Sequence, residues 1–194
     1  MDKKEDLRIT KSKRDLNKAL KELMFVMPFG KITVGDICDK ALVNRMTFYR
    51  HYGDKYELLN DLICNIQNSI AVRMETPSEK SDNEELDFIF RLLDALVAVC
   101  MEEKEFLTVV NKDDLVLTMI STTLEKSVGE LLAFINKQRK FRYRLDMLSS
   151  AITGAATFLI RHWLIKNPEE TAQEFSDKVK QFFKDLFTSK ILFE

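Results

Sequence analysis

Hydrogen-bond donors are concentrated in residues 45–51, which read Arg-Met-Thr-Phe-Tyr-Arg-His. If this stretch is helical, Phe48 and Tyr52 lie four residues apart on one face, and the polar and basic side chains lie on the others. Arg, Thr, Tyr and His side chains can donate to phosphates or base edges, and a Met side chain can contact a thymine methyl group. The spacing therefore predicts a short helix with an apolar face for packing and a donor-rich face that fits a DNA major groove.

A second short helix is expected just before this one. Thr33 can cap its N-terminus because Asp36 follows three residues later, and Asn44 can cap the donor-rich helix. The apolar stripe of the first helix is Val34, Ile37, Cys38 and Ala41. Residues 33–52 thus form helix, short turn, helix, as in helix-turn-helix DNA-binding proteins. From the pattern alone, an amphipathic connector with incidental arginines is an open alternative.

The sequence contains no arrangement of residues that indicates catalysis. Neither His51 nor His162 follows a glutamate at the spacing of helical di-iron sites. There is no Gly-x-Ser-x-Gly nucleophile motif, no phosphate-binding loop and no dinucleotide-binding glycine pattern. The three cysteines are widely spaced and include no Cys-x-x-Cys pair. We therefore expect no enzyme, no metal site and no cofactor.

The composition favours long helices. Only 5 Gly and 3 Pro occur among the 194 residues, which leaves little room for the turns of a β fold. Apolar residues recur at helical spacing along most of the chain, so an all-α fold of about nine helices is expected. The last helix is predicted to begin at Asn167-Pro168, where an Asn cap precedes a Pro in the first helical position.

The charge of the chain is unevenly distributed. The formal net charge is −1, but residues 1–60 hold 13 Lys+Arg against 9 Asp+Glu, whereas residues 61–194 hold 17 against 22. A basic N-terminal part favours contact with nucleic acid, and an acidic remainder is repelled by it. The first residues contain no apolar signal-peptide region, and the longest uncharged apolar run is shorter than the roughly 20 residues that span a bilayer. A cytoplasmic protein without membrane contact is expected.

The stretch from Ile32 to Leu59 resembles the signature of the tetracycline-repressor (TetR) family of bacterial transcriptional regulators. The core of the resemblance is Thr47-Phe-Tyr-Arg-His-Tyr52, followed by Gly53-Asp-Lys55 and Leu58-Leu59. It covers about residues 8–62, roughly a third of the chain. The sequence of this stretch is also similar to that of a branch of the family that includes the dihydroxyacetone-kinase operon regulator.

The resemblance implies two domains. A three-helix helix-turn-helix domain would occupy residues 1–55, and a helical regulatory and dimerisation domain would occupy residues 56–194. The implied function is sequence-specific DNA binding, most often by a repressor that reads a palindromic operator as a homodimer and is released by a small-molecule effector. The alternative is a TetR-like coactivator or interaction module controlled by a partner protein. A dry, enclosed cavity within residues 86–165 favours the small molecule, and an exposed apolar groove favours the partner protein.

The resemblance also implies which residues contact DNA. The base readers would be Arg45, Met46, Thr47 and Arg50. Backbone contacts on either side of the groove would come from Tyr49 and His51, although a solvated surface histidine is the alternative for His51. Phosphates would be held at helix N-termini by Thr33 and Lys55. Further DNA contacts would come from Lys11, Lys13, Arg14 and Asn44.

Two further residue sets are expected in the second domain. The implied ligand pocket, which could equally be plain core, comprises Phe88, Phe90, Leu93, Val97, Phe106, Met119, Leu124 and Phe134. The implied dimer interface, for which intrachain packing is the alternative, comprises Ser150, Ala151, Gly154, Ala155, Phe158, His162, Phe175, Phe182 and Phe183. Small residues one turn apart allow close approach of two helices, which supports the second set.

One residue departs from the family's pattern. The family usually has Gly where this chain has Leu42, between Ala41 and Val43. If the turn requires a left-handed residue, Leu costs roughly 1–2 kcal/mol there. Otherwise the turn must be reshaped.

Overall fold

The structure, a computed structural model, describes residues 3–74, 84–138, 140–166 and 169–188, apart from the side chains of residues 3–7, 74, 84–89, 138, 183–184 and 186–188. The described residues form nine α-helices and one short 3-10 helix, Phe29–Lys31, which confirms the all-α prediction. The α-helices are α1 (Lys3–Met24), α2 (Val34–Ala41), α3 (Arg45–His51), α4 (Lys55–Met74), α5 (Glu84–Glu102), α6 (Lys104–Val110), α7 (Asp114–Gln138), α8 (Leu145–Lys166) and α9 (Ala172–Thr188). None of these helices is both long and apolar enough to cross a membrane.

The N-terminal helices begin where their capping residues predict. The Thr33 hydroxyl accepts from the Asp36 backbone N–H at 3.1 Å, and the Asp36 carboxylate accepts from the Thr33 backbone N–H at 2.9 Å. This reciprocal pair is a capping box, which satisfies two backbone donors at the start of α2. Asn44 accepts from the Met46 N–H at 2.8 Å and caps α3 in the same way.

Helix α2 ends in a left-handed turn. Leu42 has φ 55° and ψ 38°, and it is the one residue other than glycine with positive φ among the described residues. Its side chain is 94% exposed, so no packing contact compensates for the strained backbone. The turn therefore keeps the geometry that a glycine would adopt without strain, and the side chain of leucine is accommodated by pointing into solvent.

One apolar core joins the N-terminal helices to the middle of the chain. It contains Leu16, Ile37, Phe48 and Leu58 from the first four helices, and it continues into α6 and α7 through Phe106, Val110 and Val116. Lys21 of α1 also pairs with Glu103, just before α6. The core therefore crosses the boundary expected between residues 55 and 56, and packing is continuous across it.

The remaining helices pack mainly as two pairs, α7 with α8 and α5 with α9. A second core cluster combines Val97 and Cys100 of α5 with Trp163 of α8 and Phe175 of α9. The Trp163 and Phe175 rings stack at a centroid distance of 4.4 Å and an interplanar angle of 4°. This stack fixes α9 against α8.

The predicted start of the last helix is wrong. Helix α9 begins at Ala172, and Thr171 and Glu174 form its capping box, with the Thr171 hydroxyl accepting from the Glu174 N–H at 3.2 Å and the Glu174 carboxylate accepting from the Thr171 N–H at 2.9 Å. The Thr-x-x-Glu signal satisfies two backbone donors, whereas an Asn cap followed by Pro satisfies fewer. Asn167 and Pro168 themselves lie outside the described residues.

Candidate nucleic-acid interface and apolar cavity

Helix α3 is attached to the core by one face only. Phe48 is fully buried and Tyr52, at its C-terminal end, is nearly so, and both pack in the core that contains Ile37 of α2. On the other faces Met46 is 79% exposed and Tyr49 is 59% exposed. The expected division into a packing face and a donor-rich face is confirmed.

Arg45 lies against the first turn of α2, where a glycine makes room for it. Its Nη2 atom lies 2.6 Å from the position that a Cβ atom at Gly35 would occupy. The guanidinium also contributes, after the hydrogen bonds from Thr33, to the lowered pKa of Asp36. Gly35 is therefore required for this arrangement of Arg45, which links the predicted base reader to α2.

Positive charge gathers at the C-terminal end of α3. The Lys13 Nζ atom of α1 lies 5.4 Å from the centre of the Tyr52 ring, and Arg50 is exposed next to it in the chain. Partial burial and the charges of Lys13 and Arg50 lower the pKa of His51 below its ordinary value. The cationic Lys13 and Arg50, on two helices beside the His51 ring, thus create a local potential that favours an anion.

A buried polar network holds α3 between α1 and α4. The Tyr52 hydroxyl and the Asn17 amide each donate to the same Asp61 carboxylate oxygen at 2.8 Å. Burial raises the pKa of Asp61, but the hydrogen bonds from Asn17 and Tyr52 outweigh it and leave the pKa below its ordinary value. Burial and the neighbouring Asp61 carboxylate raise the pKa of Tyr52. A charged carboxylate that accepts two such bonds fixes the position of α3.

The donors of two predicted phosphate-binding residues are already engaged within the chain. The Lys55 ammonium donates to the carbonyl oxygens of Phe29 and Gly30, both at 3.0 Å, and of Ile32 at 2.7 Å. The Thr33 hydroxyl and backbone N–H both contact Asp36. Because an ammonium group has three N–H donors, these contacts saturate Lys55. Both side chains position the elements around α3 in the free protein.

The remaining predicted contacts from α1 lie on its exposed side. Arg14 is exposed and its guanidinium lies 3.3 Å from the adjacent Asp15 carboxylate. Lys11 is exposed as well, and Thr47 of α3 is half-buried.

A cavity of about 120 Å³ lies among α5, α7, α8 and α9. Every described side chain that lines it is apolar or a cysteine: Leu92, Leu93, Leu96, Val97, Cys100, Leu124, Val128, Leu131, Leu132, Ile135, Ile152, Ala156, Leu159, Ile160, Trp163, Phe175 and Val179. Burial raises the pKa of Cys100 to about 12, so its thiol is neutral.

The cavity contains some of the predicted pocket residues and lacks others. Leu93, Val97 and Leu124 line it. Phe106 and Met119 instead belong to the core shared with the N-terminal helices, and Phe134 is 60% exposed on α7. Phe90 is half-buried outside the lining, and the side chain of Phe88 lies outside the described residues. The helical stripes correctly indicate that Phe106 is buried, but not which neighbour buries it.

Most of the predicted interface residues on α8 share an open face. Ser150, Ala151, Gly154, Ala155 and His162 are exposed, and Phe158 is 72% exposed. A Cβ atom added at Gly154 would meet nothing within 4 Å. Phe182 of α9 is exposed too, and the side chain of Phe183 lies outside the described residues. The prediction that Phe175 lies in the dimer interface is wrong, because this side chain is buried against Trp163 and is not available to another chain.

An open groove of about 340 Å³ adjoins the cavity between α8 and α9. Leu159, Trp163, Phe175 and Val179 line both, so they form the wall between them. Lys178 and Glu170 line the groove and pair at 2.6 Å.

Sequence reasoning did not identify four parts of this arrangement. The contact between Gly35 and Arg45, the carboxylate of Asp61 and the carbonyl partners of Lys55 all depend on contacts between separate elements, for which the sequence holds no local signal. The contribution of α9 to the cavity was missed for a different reason. The stripe that contains Phe175 and Val179 shows that one face of α9 is covered, but not by what.

The geometry defines a helix-turn-helix DNA-binding protein, since a capped, exposed, basic helix is held by a short helix in front of it. Residues 12–62 match the family model of bacterial regulatory proteins of the tetR family. No curated protein sequence matches the chain.

Solved structures share the fold along nearly the whole chain. A proposed TetR-family transcriptional regulator from Syntrophomonas wolfei is 15% identical over 91% of this chain and 95% of its own, with a TM-score of 0.70. A transcriptional regulator from Aquifex aeolicus is 22% identical over 90% and 99%, with a TM-score of 0.58. The dihydroxyacetone kinase operon activator DhaS is 18% identical over 94% and 98%, with a TM-score of 0.59. Residues 12–62 thus match the DNA-binding part of tetR-family regulators, and the chain shares the fold of solved proteins described as regulators of that kind.

Proposed function

We propose that the protein is a repressor that binds a palindromic operator as a homodimer and is released by a small-molecule effector. The observation that carries the proposal is the donor-rich, exposed face of α3, whose opposite face packs in the core through Phe48 and Tyr52. Such a helix can enter a major groove without disturbing its own packing. Because its target is chromosomal DNA, we place the protein in the cytoplasm.

The proposed DNA contacts divide by role. Arg45, Met46, Thr47 and Arg50 contact base edges, and Tyr49 and His51 contact the backbone on either side. Lys13, Arg14 and Asn44 add contacts at the edges, and Lys11 lies where it can reach a phosphate. The side chains of Thr33 and Lys55 hold α2, α3 and α4 in place. The phosphates are instead contacted by the backbone N–H groups at the N-termini of α2 and α4.

Arg45 provides the test of base reading. In binding titrations with promoter DNA taken from beside the protein's own gene, Arg45→Ala weakens specific binding by about 1–3 kcal/mol and leaves binding to a scrambled duplex nearly unchanged. Lys11→Ala is the matched control, because loss of one exposed charge lowers affinity for both duplexes alike. Equal losses on the two duplexes for Arg45→Ala exclude base reading by this residue.

The homodimer is proposed to form through the open face of α8 together with Phe182. Small residues at 151, 154 and 155 allow a second copy of α8 to approach closely, and the exposed Phe158 supplies apolar area beside them. Two copies of α3 are needed for a palindrome, since each reads one half-site.

Two exposed phenylalanines give a matched test of this face. In sedimentation equilibrium Phe158→Glu dissociates the dimer, whereas Phe134→Glu, at a comparably exposed site on α7, leaves it intact. A dimer that survives Phe158→Glu and yields to Phe134→Glu places the interface elsewhere.

The apolar cavity supports a small-molecule effector over control by a partner protein. It lies among four helices of the second domain, whereas the groove beside it adjoins the proposed dimer face. DhaS, by its name, is an operon activator. Whether this protein represses or activates transcription therefore needs a separate test. Deletion of the gene raises expression of the target promoter for a repressor and lowers it for an activator.

A further inference from the structure

We infer that the cavity takes an uncharged, wholly apolar ligand about the size of one aromatic ring. This inference rests on the proposed effector site and names the chemistry of its ligand. The volume, about 120 Å³, is close to that of engineered apolar cavities of roughly 150 Å³ that stay dry and bind benzene or xenon. A cavity of this size excludes larger ligands unless its walls move.

The walls of the cavity offer a ligand no hydrogen-bond partner among the described side chains. The indole N–H of Trp163, the most polar atom of the lining residues, donates to the Glu170 carbonyl oxygen at 3.1 Å and is already satisfied. The Cys100 thiol is a weak donor and stays neutral. A polar group that enters such a site loses its hydrogen bonds to water without replacement, so polar ligands bind less tightly.

Among the side chains that the structure describes, the neighbouring groove supplies no unpaired lysine or arginine as a counter-ion for an anionic ligand. Its lysine, Lys178, is paired with Glu170 at 2.6 Å, and their charges cancel. His162, the other basic side chain of the groove, is exposed to solvent. A ligand with an apolar body in the cavity and a carboxylate in the groove therefore gains little from these charges. The structure thus favours neutral hydrocarbons over carboxylic acids.

Toluene, phenol and benzoate are the probes for this inference. Phenol has the same number of heavy atoms as toluene but carries a hydroxyl, and benzoate carries a charge. In calorimetric titrations of the full-length protein we expect toluene to bind at least tenfold more tightly than phenol and benzoate. Toluene should also raise the midpoint of thermal unfolding. Equal or tighter binding of benzoate, or no binding of toluene, overturns the inference.

Two alanines give a matched pair of variants that locate the binding site. Ala156 lines the cavity, so Ala156→Leu fills it and lowers toluene affinity at least tenfold. Ala133 is exposed on α7, and Ala133→Leu leaves toluene binding unchanged. If Ala156→Leu does not fold, Leu124→Phe fills the cavity from α7. Toluene binding that survives filling of the cavity overturns the inference.

These titrations are made without DNA, so their outcome is separate from that of the DNA-binding proposal. Failure of toluene to bind leaves the Arg45→Ala result untouched, and failure of DNA binding leaves the toluene result untouched. If both hold, toluene should weaken binding to the promoter duplex in the wild type but not in Ala156→Leu.

Discussion

Leu42 shows that the turn between α2 and α3 is maintained against the preference of its own residue. The left-handed backbone at φ 55° places the two helices as a glycine would. A left-handed conformation costs a residue with a Cβ atom roughly 1–2 kcal/mol, and the exposed leucine gains no contact in return. The surrounding core must therefore supply this free energy.

Leu42→Gly should relieve that strain. Subtracting the extra unfolded-state entropy of glycine, about 0.5–1 kcal/mol, from the strain of roughly 1–2 kcal/mol leaves an expected gain of about 0.5–1 kcal/mol in the free energy of unfolding. Urea denaturation measures it. Leu42→Ala, which keeps the Cβ atom, is the control and should gain much less. If the alanine variant gains as much as the glycine variant, the benefit comes from removal of an exposed apolar side chain and not from the backbone.

His51 is predicted to couple DNA binding to pH. Partial burial and the neighbouring Lys13 and Arg50 lower its pKa, so it is neutral in the free protein near pH 7. A phosphate placed beside it stabilises the charged form and raises the pKa, so DNA binding takes up a proton. Affinity should therefore rise as the pH falls from about 7.5 to about 6, by at most about tenfold per unit of pKa change. His51→Gln should remove most of this dependence, and a variant with the full dependence would contradict the phosphate contact.

At the scale of elements, one carboxylate holds three helices together. Asp61 of α4 accepts hydrogen bonds from Asn17 of α1 and from Tyr52 at the end of α3. The position of α3 therefore depends on a polar network and not on apolar packing alone. Polar networks have narrower geometric tolerance than apolar contacts.

Removal of one hydroxyl should weaken this network measurably. Tyr52→Phe deletes the donor to Asp61 and should lower the free energy of unfolding by about 1.5–3 kcal/mol, the range for a hydrogen bond to a charged group. Tyr49→Phe deletes a hydroxyl from an exposed side chain of the same helix and should change stability little. Chemical denaturation compares the two. Equal effects would mean that the Asp61 contact contributes nothing.

The same network predicts the direction of the pH dependence. Asp61 has a lowered pKa in the folded protein, so its stabilisation is complete above its unfolded pKa of about 4. It is lost as the pH falls through the folded value. Tyr52 has a raised pKa, so its contribution is complete below about pH 10 and is lost as the pH rises further.

Local signals explain which elements the sequence could predict. The caps at Thr33 and Asn44 and the buried pair Phe48 and Tyr52 depend on residues within four positions of one another, and each was predicted correctly. The prediction of where α9 begins failed because two helix-start signals, at residues 167 and 171, lie within four residues of each other. Contacts such as Lys55 with the 3-10 helix carbonyls join residues more than twenty positions apart, and helical periodicity cannot identify such partners.

At the scale of the molecule, the DNA-binding helices and the body share one apolar core. Phe106, Val110 and Val116 pack with Leu16 and Phe48 in a single cluster. The T-shaped contact of Phe25 with Phe106, at a centroid distance of 6.5 Å, extends it. The core therefore joins α6 to α1 through direct side-chain contacts.

The shared core predicts cooperative unfolding. Trp163 is the single tryptophan of the sequence and lies in the wall of the cavity, so its fluorescence reports on the body. Far-ultraviolet circular dichroism reports on all helices. The two signals should share one transition midpoint in thermal unfolding. A circular dichroism transition that precedes the fluorescence change would show that the N-terminal helices unfold independently.

Selection of fragments from a random DNA pool by the full-length protein tests the central claim most directly, namely that α3 reads bases as part of a two-fold dimer. The wild type should enrich an inverted repeat whose half-sites are centred about one helical turn, ~34 Å, or a multiple of it apart. Arg45→Ala should relax the preference at one position of each half-site. A wild-type pool with no enriched sequence, or with a single unrepeated site, would contradict the account.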